Sequence, residues 1–396
     1  MPENMTAVVA GHICLDVFPD FTQVPPSKFE TIYVPGHLTI VGPAAFSTGG
    51  PVSNTGLALN HLGVKTRLMG KLGDDVFGQA VQKIVQTYLP GEDSGMLVDP
   101  DASTSYTLII SPPGVDRIFL HSPGANDTFS AADIRYDVVC LANLFHFGYP
   151  PIMRRMYAGG GEGLREIFQR VKALEVTTSL DMAFPDPDSP GGKANWRKIL
   201  GIAMPFVDIF LPSIEEILYM LHRDTYNALC SASSGGNILP LVTPGLLSDL
   251  SQELLDMGAR IVVIKMGDRG LYLRTAPRSR LSDLGRACPP NLECWADQEL
   301  WAPCFRTNVV GTTGSGDATI AGFLSALLRG FAPADALTAA VAVGACNVEA
   351  ADALSGLRLW EETLARVEAG WERLPLRLQA PGWTFDARHQ IFRKES

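Results

Sequence analysis

Short apolar or β-branched runs alternate along this chain with longer stretches of helical periodicity, and that alternation restricts the fold more than any other property. Runs at 6–9, 66–71, 144–147, 178–181, 209–211 and 260–265 read as strands. Most are followed by helix-compatible stretches, at 78–88, 161–174, 215–221 and 246–257. Strands joined through helices need crossover connections, so the expected fold class is α/β: three layers, with a mostly parallel central sheet flanked by helices. Ligands of such sheets gather at the carboxyl ends of strands. Asp16, Gly148, Asp181 and Gly267 lie just past predicted strands and are candidates for a site wall by position alone.

Two segments break the alternation. Residues 18–46 contain Thr31-Ile32-Tyr33-Val34 and His37-Leu38-Thr39-Ile40-Val41, and residues 103–122 contain Tyr106-Thr107-Leu108-Ile109-Ile110 and Arg117-Ile118-Phe119-Leu120. Both read as antiparallel strands separated by Pro/Gly turns, a small antiparallel β lid inserted in the main body. A third stretch, 274–305, is rich in Arg, Pro and Cys and reads as an insertion loop. Residues 1–396 are expected to form a single α/β domain, a size at which such folds occur as one unit.

The charge balance narrows the partners. With a formal net charge of −10 and no basic cluster, the chain is not a nucleic-acid binder. No charge-free apolar run reaches the length of a membrane span, so no membrane partner is expected. The first residues are polar and lack the apolar core of a leader, and the seven cysteines are scattered and odd in number. Together these point to reduced thiols and a cytoplasmic location. Cys288, Cys294 and Cys304 cluster, but without the close pair of a zinc knuckle or a nearby His.

The chemistry concentrates in Gly311-Thr312-Thr313-Gly314-Ser315-Gly316-Asp317 and the apolar helical stripe Ile320, Phe323, Leu324, Leu327 and Leu328 behind it. A helix start carries free N–H groups and the positive end of the helix dipole, so Gly314, Ser315 and Gly316 form an anion cradle whose glycines let the backbone approach the ligand. Asp317 would repel such an anion. Its sensible task is to accept a proton from a hydroxyl attacking phosphorus, although a capped turn with an acidic first helical turn has the same sequence.

A distant partner supports the chemical reading. Gly49-Gly50 precede a second helix with Asn54 a turn in, followed by Gly63 and by Gly73-Asp74-Asp75 and Gly78. Backbone amides, Asn54 and Asp16 form a polyol-binding set, because neutral hydroxyls need paired donors and acceptors. No Gly-x-Gly-x-x-Gly follows the first strand and no Walker A sequence is present, which argues against dinucleotide and P-loop sites.

These two signatures resemble those of the ribokinase-like carbohydrate kinases, the PfkB-type family, which includes fructokinases and adenosine kinases. Shorter landmarks follow in order: 117–126 is similar to that family's returning lid strand, Leu211-Pro212-Ser213-Ile214-Glu215-Glu216 to its Asn-x-x-Glu element, and 263–270 to its nucleotide-side strand and turn. The resemblance spans about residues 5 to 355. It implies a cytoplasmic kinase that moves a phosphoryl group from ATP to a sugar hydroxyl, with Asp317 as general base and the 314–316 amides as anion hole. It further implies that Asp16, Gly49, Gly50 and Asn54 bind the sugar, that Glu216 organises Mg²⁺ through water, and that Lys265, Gly267, Gly270 and Asn347 border the nucleotide. Lid strands in that family often pair between subunits, so a homodimer through the lid is a further expectation.

The chain departs from the family at three positions. Gly311 stands where an acid usually contributes to a monovalent-cation site, so weak or absent potassium dependence is expected. Ser213 replaces the usual Asn, and Lys265 stands where Thr is common, placed either to reach a phosphate or to extend into solvent. A nucleoside kinase of the same fold, and a catalytically weak sugar-binding or regulatory relative, are the alternatives; Phe29, Tyr33, Phe46, Tyr106 and Phe119 leave aromatic stacking open. His12 and His121 read as packing or surface residues, and Asn347 equally as a buried amide bonded to a neighbouring carbonyl.

Overall fold

The computed structural model describes residues 5–25, 32, 34–91, 94–111, 118–233, 236–376, 378 and 380–395. Its strands, in chain order, are β1 (Thr6–Gly11), β2 (Cys14–Asp20), β3 (Gly42–Gly49), β4 (Lys65–Gly73), β5 (Met96–Asp99), β6 (Tyr106–Ile110), β7 (Ile118–Ser122) and β8 (Leu144–Gly148). After these come β9 (Thr177–Asp181), β10 (Ile209–Phe210), β11 (Ile261–Lys265), β12 (Leu271–Thr275), β13 (Glu299–Ala302), β14 (Trp383–Asp386) and β15 (Ile391–Lys394). Eleven of them form one sheet in the order β14-β15-β13-β12-β11-β10-β9-β8-β1-β4-β5. Every neighbouring pair from β11 to β5 is parallel, and the pairs from β11 out to β14 are antiparallel.

Alternate residues of the central strands feed two different cores. Ala7, Val9, Ile261 and Val263 join the cluster on one face, while Val8, Ala10, Val262 and Ile264 join the cluster on the other. Burial on both faces is why these strands read as continuous apolar runs rather than as alternating ones. The first cluster includes the helices Pro51–His61, Ser315–Leu328 and Pro333–Asn347. The last two approach closely at Gly322, where a Cβ would lie 3.0 Å from Ala340 Cα. The second cluster includes the helices Glu162–Lys172, Ile214–Leu221 and Pro244–Met257.

The smaller sheet has the order β3-β2-β6-β7 and rises from the carboxyl end of β1. Its outer pairs are antiparallel and its central β2–β6 pair is parallel. The strands expected within 18–46 are displaced to 14–20 and 42–49. Residues 34–41 are turn and extended coil without a ladder, and Thr31 and Tyr33 lie outside the described residues. Physical cause is visible in β2: the chain leaves the main sheet at His12 and Ile13 and re-enters a ladder at Cys14, so one continuous apolar run serves two sheets. Of the second lid segment, β6 lies where 106–110 was read and β7 covers 118–122, while Arg117 lies outside the described residues, as does Phe29.

The 274–305 stretch begins in one main-sheet strand and contains another. Arg274 and Thr275 close β12, and β13 falls inside the stretch and pairs with it. Between them Leu281, Leu284 and Trp295 are fully buried, so this connection packs into the first core. After the helix Trp360–Glu368 the chain returns to the sheet edge as the hairpin β14–β15.

Candidate active site

Strand ends and the starts of three helices, Pro51–His61, Ile214–Leu221 and Ser315–Leu328, meet above the carboxyl edge of the parallel strands. The helix Ser315–Leu328 starts from Gly314, whose φ of +69° is left-handed and whose position leaves the first turn without any side-chain cap. A Cβ at Gly314 would also meet Ala353 Cβ at 2.5 Å, so both conformation and space require glycine there. An uncapped helix start facing a cleft is an anion-binding surface.

Asp317 follows in the first turn and is buried. Thr55 Oγ1 donates to its Oδ1 at 3.0 Å; Asn54 Nδ2 and Tyr149 O–H donate to its Oδ2 at 3.1 and 2.9 Å. A carboxylate offers about four lone-pair positions, so three donors hold it rigidly and leave one on Oδ1 for a further proton. Burial pushes the Asp317 carboxyl up, opposed by Asn54, by the Lys265 charge and by the Tyr149 and Thr55 hydroxyls. The net rise makes it a better proton acceptor than an exposed aspartate. Tyr149 is itself held in the left-handed region, at φ 66°, immediately after β8. Neither Thr55 nor Tyr149 was singled out from sequence. Thr55 adjoins Asn54 in the same motif, and Tyr149 follows Gly148 at a strand end, which was the only available signal.

On one side of Asp317 lies a pocket of about 290 Å³, lined among others by His12, Asp16, Gly50, Asn54, Thr107 and His121. Burial pushes the Asp16 carboxyl up to about 6, against hydrogen bonds from Cys14 and Thr107. Gly49 does not line this pocket. It sits beneath Asp16, where a Cβ would lie 2.4 Å from Asp16 Oδ2, so its part is to make room for the carboxylate. Gly50 has φ +87° and does line the pocket.

His12 is buried and His121 exposed, and the two also meet across the boundary between body and lid. His12 Nε2 lies 3.4 Å from His121 Nε2, and His121 Nδ1 lies 3.1 Å from Thr107 Oγ1, which links the body to the lid strands β6 and β7. Desolvation pulls both imidazoles down, with Asp127 opposing at His121, and His121 pulls His12 down further.

On the other side lies a cleft of about 520 Å³, sharing Tyr149, Thr312, Gly314 and Asp317 with the first pocket. Lys265, Gly267, Gly270 and Glu216 all line it. Gly270 has φ +94°, and a Cβ there would lie 1.9 Å from the Ala302 carbonyl oxygen. Lys265 does not extend into solvent. Its Nζ is 2.6 Å from Asp181 Oδ1, and a Cβ on Gly316 would lie 3.7 Å from that same Nζ. Burial pulls the ammonium down, but the Asp181 and Glu216 charges more than offset this and hold it protonated beside the cradle.

Glu216 forms a capping box with Ser213: Ser213 N–H donates to Glu216 Oε2 at 2.6 Å and Glu216 N–H to Ser213 Oγ at 3.3 Å. Ser213 therefore fixes the helix start that presents Glu216. Among the described residues no group of three His, Cys, Asp or Glu side chains is arranged to hold a metal ion by itself. A Mg²⁺ that keeps most of its water and rides on substrate phosphates needs only one or two carboxylates, and Glu216 in the cleft wall fits that requirement.

Asn347 is the site residue that the geometry separates from the rest. It is fully buried, its Nδ2 donates to the Ala353 carbonyl at 2.6 Å, and the cleft wall is formed instead by Gly344, Ala345 and Val348 of the same helical stretch and its cap. Its amide ties that helix to the 353 turn. Gly311 is half-buried: its N–H donates to the Val348 carbonyl at 3.3 Å, and a Cβ would lie 2.9 Å from Ala351 Cα. The seven cysteines are all free thiols, and no helix among the described residues is long and apolar enough to cross a membrane.

A parallel α/β sheet with an anion cradle, an adjoining pocket of hydrogen-bonding groups and one buried carboxylate between them defines a group-transfer enzyme with a phosphorylated donor and a hydroxyl acceptor. The chain belongs to the pfkB family of carbohydrate kinases, whose sequence model matches residues 28–358. Members of that family are phosphotransferases acting on sugar hydroxyls, and so is this protein. It is 23% identical over 274 residues to an uncharacterized sugar kinase of Archaeoglobus fulgidus, which covers 69% of this chain and 87% of the relative. It is also 23% identical to fructokinase-2 of Oryza sativa subsp. japonica, over 81% of this chain and 80% of that one. The fold is shared with a fructokinase with bound ATP from Xylella fastidiosa, at a TM-score of 0.66 and 18% identity, covering 92% of this chain and 98% of that one. A putative ribokinase II in complex with ATP and Mg²⁺ from E. coli aligns at a TM-score of 0.65 and 18% identity, over 92% and 99% of the two chains.

Proposed function

We propose that this protein transfers the γ-phosphoryl group of ATP to a hydroxyl of a neutral sugar, with Asp317 as the general base. The observation that carries this reading is that the pocket and the cleft share Asp317, so one buried carboxylate faces both substrates. The acceptor hydroxyl gives its proton to Asp317 as its oxygen bonds to phosphorus, and ADP leaves with the former bridging oxygen. The Gly314–Gly316 backbone and the Lys265 ammonium stabilise the negative charge on the transferring group. Mg²⁺, held through water by Glu216, would neutralise charge on the ATP phosphates. Asp16 and Asn54, with the Gly50 backbone, orient the acceptor.

A neutral acceptor is favoured because, among the described residues, no Arg or Lys lines the acceptor pocket, while Asp16 and Asp317 do. A nucleoside or other extended acceptor is the second reading. It rests on Thr107, Phe119, His121 and Ile152, which the acceptor pocket shares with a neighbouring groove of about 1070 Å³ that also holds Tyr157 and Phe184. A homodimer through the lid belongs to the same proposal, supported by the exposed Phe46 and Leu120 of β3 and β7. So does a cytoplasmic location, which suits seven free thiols.

The test is Asp317→Asn, assayed by ADP release over a panel of sugars and nucleosides. We expect kcat to fall by about 10²–10⁴-fold while ATP binding persists. Near-normal turnover by the variant would remove Asp317 from the role of base, and a nucleoside preferred over every sugar would decide for the second reading.

A further inference from the structure

The match to the family model ends at residue 358, yet the donor cleft continues into the chain beyond it. Residues 372–374 run antiparallel to 304–306. Arg306 N–H donates to the Glu372 carbonyl at 2.8 Å, Leu374 N–H donates to the Cys304 carbonyl at 2.7 Å, and Phe305 and Arg373 face each other across the pair. The strip is tied on both sides. Trp371 stacks on Phe305 with ring centroids 4.6 Å apart and donates its indole N–H to the Arg306 carbonyl at 2.7 Å. Arg373 lies over the opposite part of the arrangement, its Cζ 4.3 Å from the Phe305 ring centroid, and donates to the Pro303 carbonyl at 2.7 Å and to Thr338 Oγ1 at 2.9 Å.

This anchoring brings one apolar side chain to the cleft. Leu374 lines it together with Leu271, Phe305, Val341 and Val348, on the side where Gly267 and Gly270 allow close approach. These five side chains carry no hydrogen-bonding group, whereas Lys265, Glu216 and the start of the Ser315–Leu328 helix line the same cleft. An apolar surface at the far end from the phosphates suits the flat face of a nucleotide base.

We propose that Leu374 is a donor-binding residue: it packs against the base of the nucleotide, so that the C-terminal segment outside the family match completes the donor site. This rests on the reading of the cleft as the ATP site. Residues 371–376 hold the contact, and the β14–β15 hairpin, paired to β13, keeps the segment in place.

Binding of ATP with Mg²⁺ to the full chain, measured calorimetrically without any acceptor, tests this directly. Leu374→Ala is expected to weaken ATP about threefold to tenfold, as loss of an apolar contact of this size would, and Leu374→Met to stay within about twofold. In turnover the loss falls on KM for ATP rather than on KM for the acceptor, a split that a merely structural residue would not produce. A measurement without substitutions accompanies it: hydrogen exchange of the 371–376 backbone in the unaltered protein is expected to slow when ATP is added. The proposal fails if the unaltered chain binds ATP but Leu374→Ala binds it equally well and exchange at 371–376 does not change. A chain that binds no ATP at all would instead remove the ATP reading on which the proposal stands.

Discussion

The acceptor pocket and the donor cleft meet at Asp317 and are built from opposite materials. The pocket is walled by polar groups already bonded to one another: Asp16 with Cys14, His12 with His121, His121 with Thr107, and Asn54 with Asp317. They come from segments far apart in sequence, and the smaller sheet contributes Cys14 and Asp16 from β2, Thr107 from β6 and His121 from β7. The cleft has a larger apolar share, with glycine backbone and the side chains of Leu271, Phe305, Val341, Val348 and Leu374 beside the charged Lys265, Glu216 and Asp268. Buried polar sites discriminate strongly because a wrong ligand leaves their groups unpaired, while apolar surfaces discriminate by little more than contact area. On the proposed assignment of the two sites, acceptor choice is the demanding recognition step and donor binding the tolerant one.

The sharpest way to break that contrast is Asp16→Asn. Its carboxylate is buried between Cys14 and the space left by Gly49, and burial pushes it up to about 6. The ionised form is the one that accepts from acceptor hydroxyls, so acceptor binding is strongest above that value and is lost as the pH falls through it. We expect the variant to lose about tenfold to hundredfold in kcat/KM for the acceptor, and to lose the rise of acceptor KM below about pH 6. ATP affinity is expected to stay within about twofold. Steady-state kinetics from pH 5 to 8 reads both (about the span in which that group titrates), and an equal loss for both substrates would show that the two sites are not separable in this way.

A smaller effect is expected from Tyr149→Phe. The Tyr149 hydroxyl is one of three donors to Asp317 and opposes the rise that burial imposes on it. Without that bond the folded-state pKa of Asp317 rises further. Because the base works only when ionised, the acidic limb of the kcat profile moves to higher pH, and kcat at neutral pH drops by about fivefold to tenfold. An acidic limb that stays in place, or moves to lower pH, would show that the tyrosine acts on something other than the base.

How much of this was legible in the sequence follows from the range over which each feature is determined. The central strands and most helices were readable because burial on both sheet faces leaves continuous apolar runs, and because the glycines around 314–316 mark a local backbone requirement. Asp317 was readable for the same reason. Its partners were not: Thr55 and Asp317 are 262 residues apart in sequence, and only the packing of two helices brings them together. His12 and His121 meet across 109 residues and across the boundary between body and lid. Strands β14 and β15 are short and half-exposed at the antiparallel edge, so they lack the doubly buried pattern that identified the others. Asn347 was readable only as an amide in an Ala-rich helix, and no local signal says that it turns toward Ala353 instead of the cleft.

The smallest predicted effect concerns Gly311, the neighbour of Thr312, which lines both sites. A resemblance alone would ask whether an acid lost at this position has been replaced elsewhere in the neighbourhood. The packing suggests a different view, because a Cβ on Gly311 would lie 2.9 Å from both the Ala351 Cα and its carbonyl oxygen. Backbone occupies the place where a side chain would begin, so the 350–351 segment and the glycine belong together. Turnover is then expected to change by less than about twofold when KCl replaces NaCl at equal ionic strength, since screening is the same for both salts. Gly311→Asp would force backbone apart before its carboxylate could reach a cation, and overpacking of that kind lowers stability by about 1–3 kcal/mol. A lower melting temperature without any gain in potassium response is the expected pair of results. Strong activation of the unaltered chain by K⁺ over Na⁺ would mean that this protein holds a monovalent cation with groups other than an acid at 311.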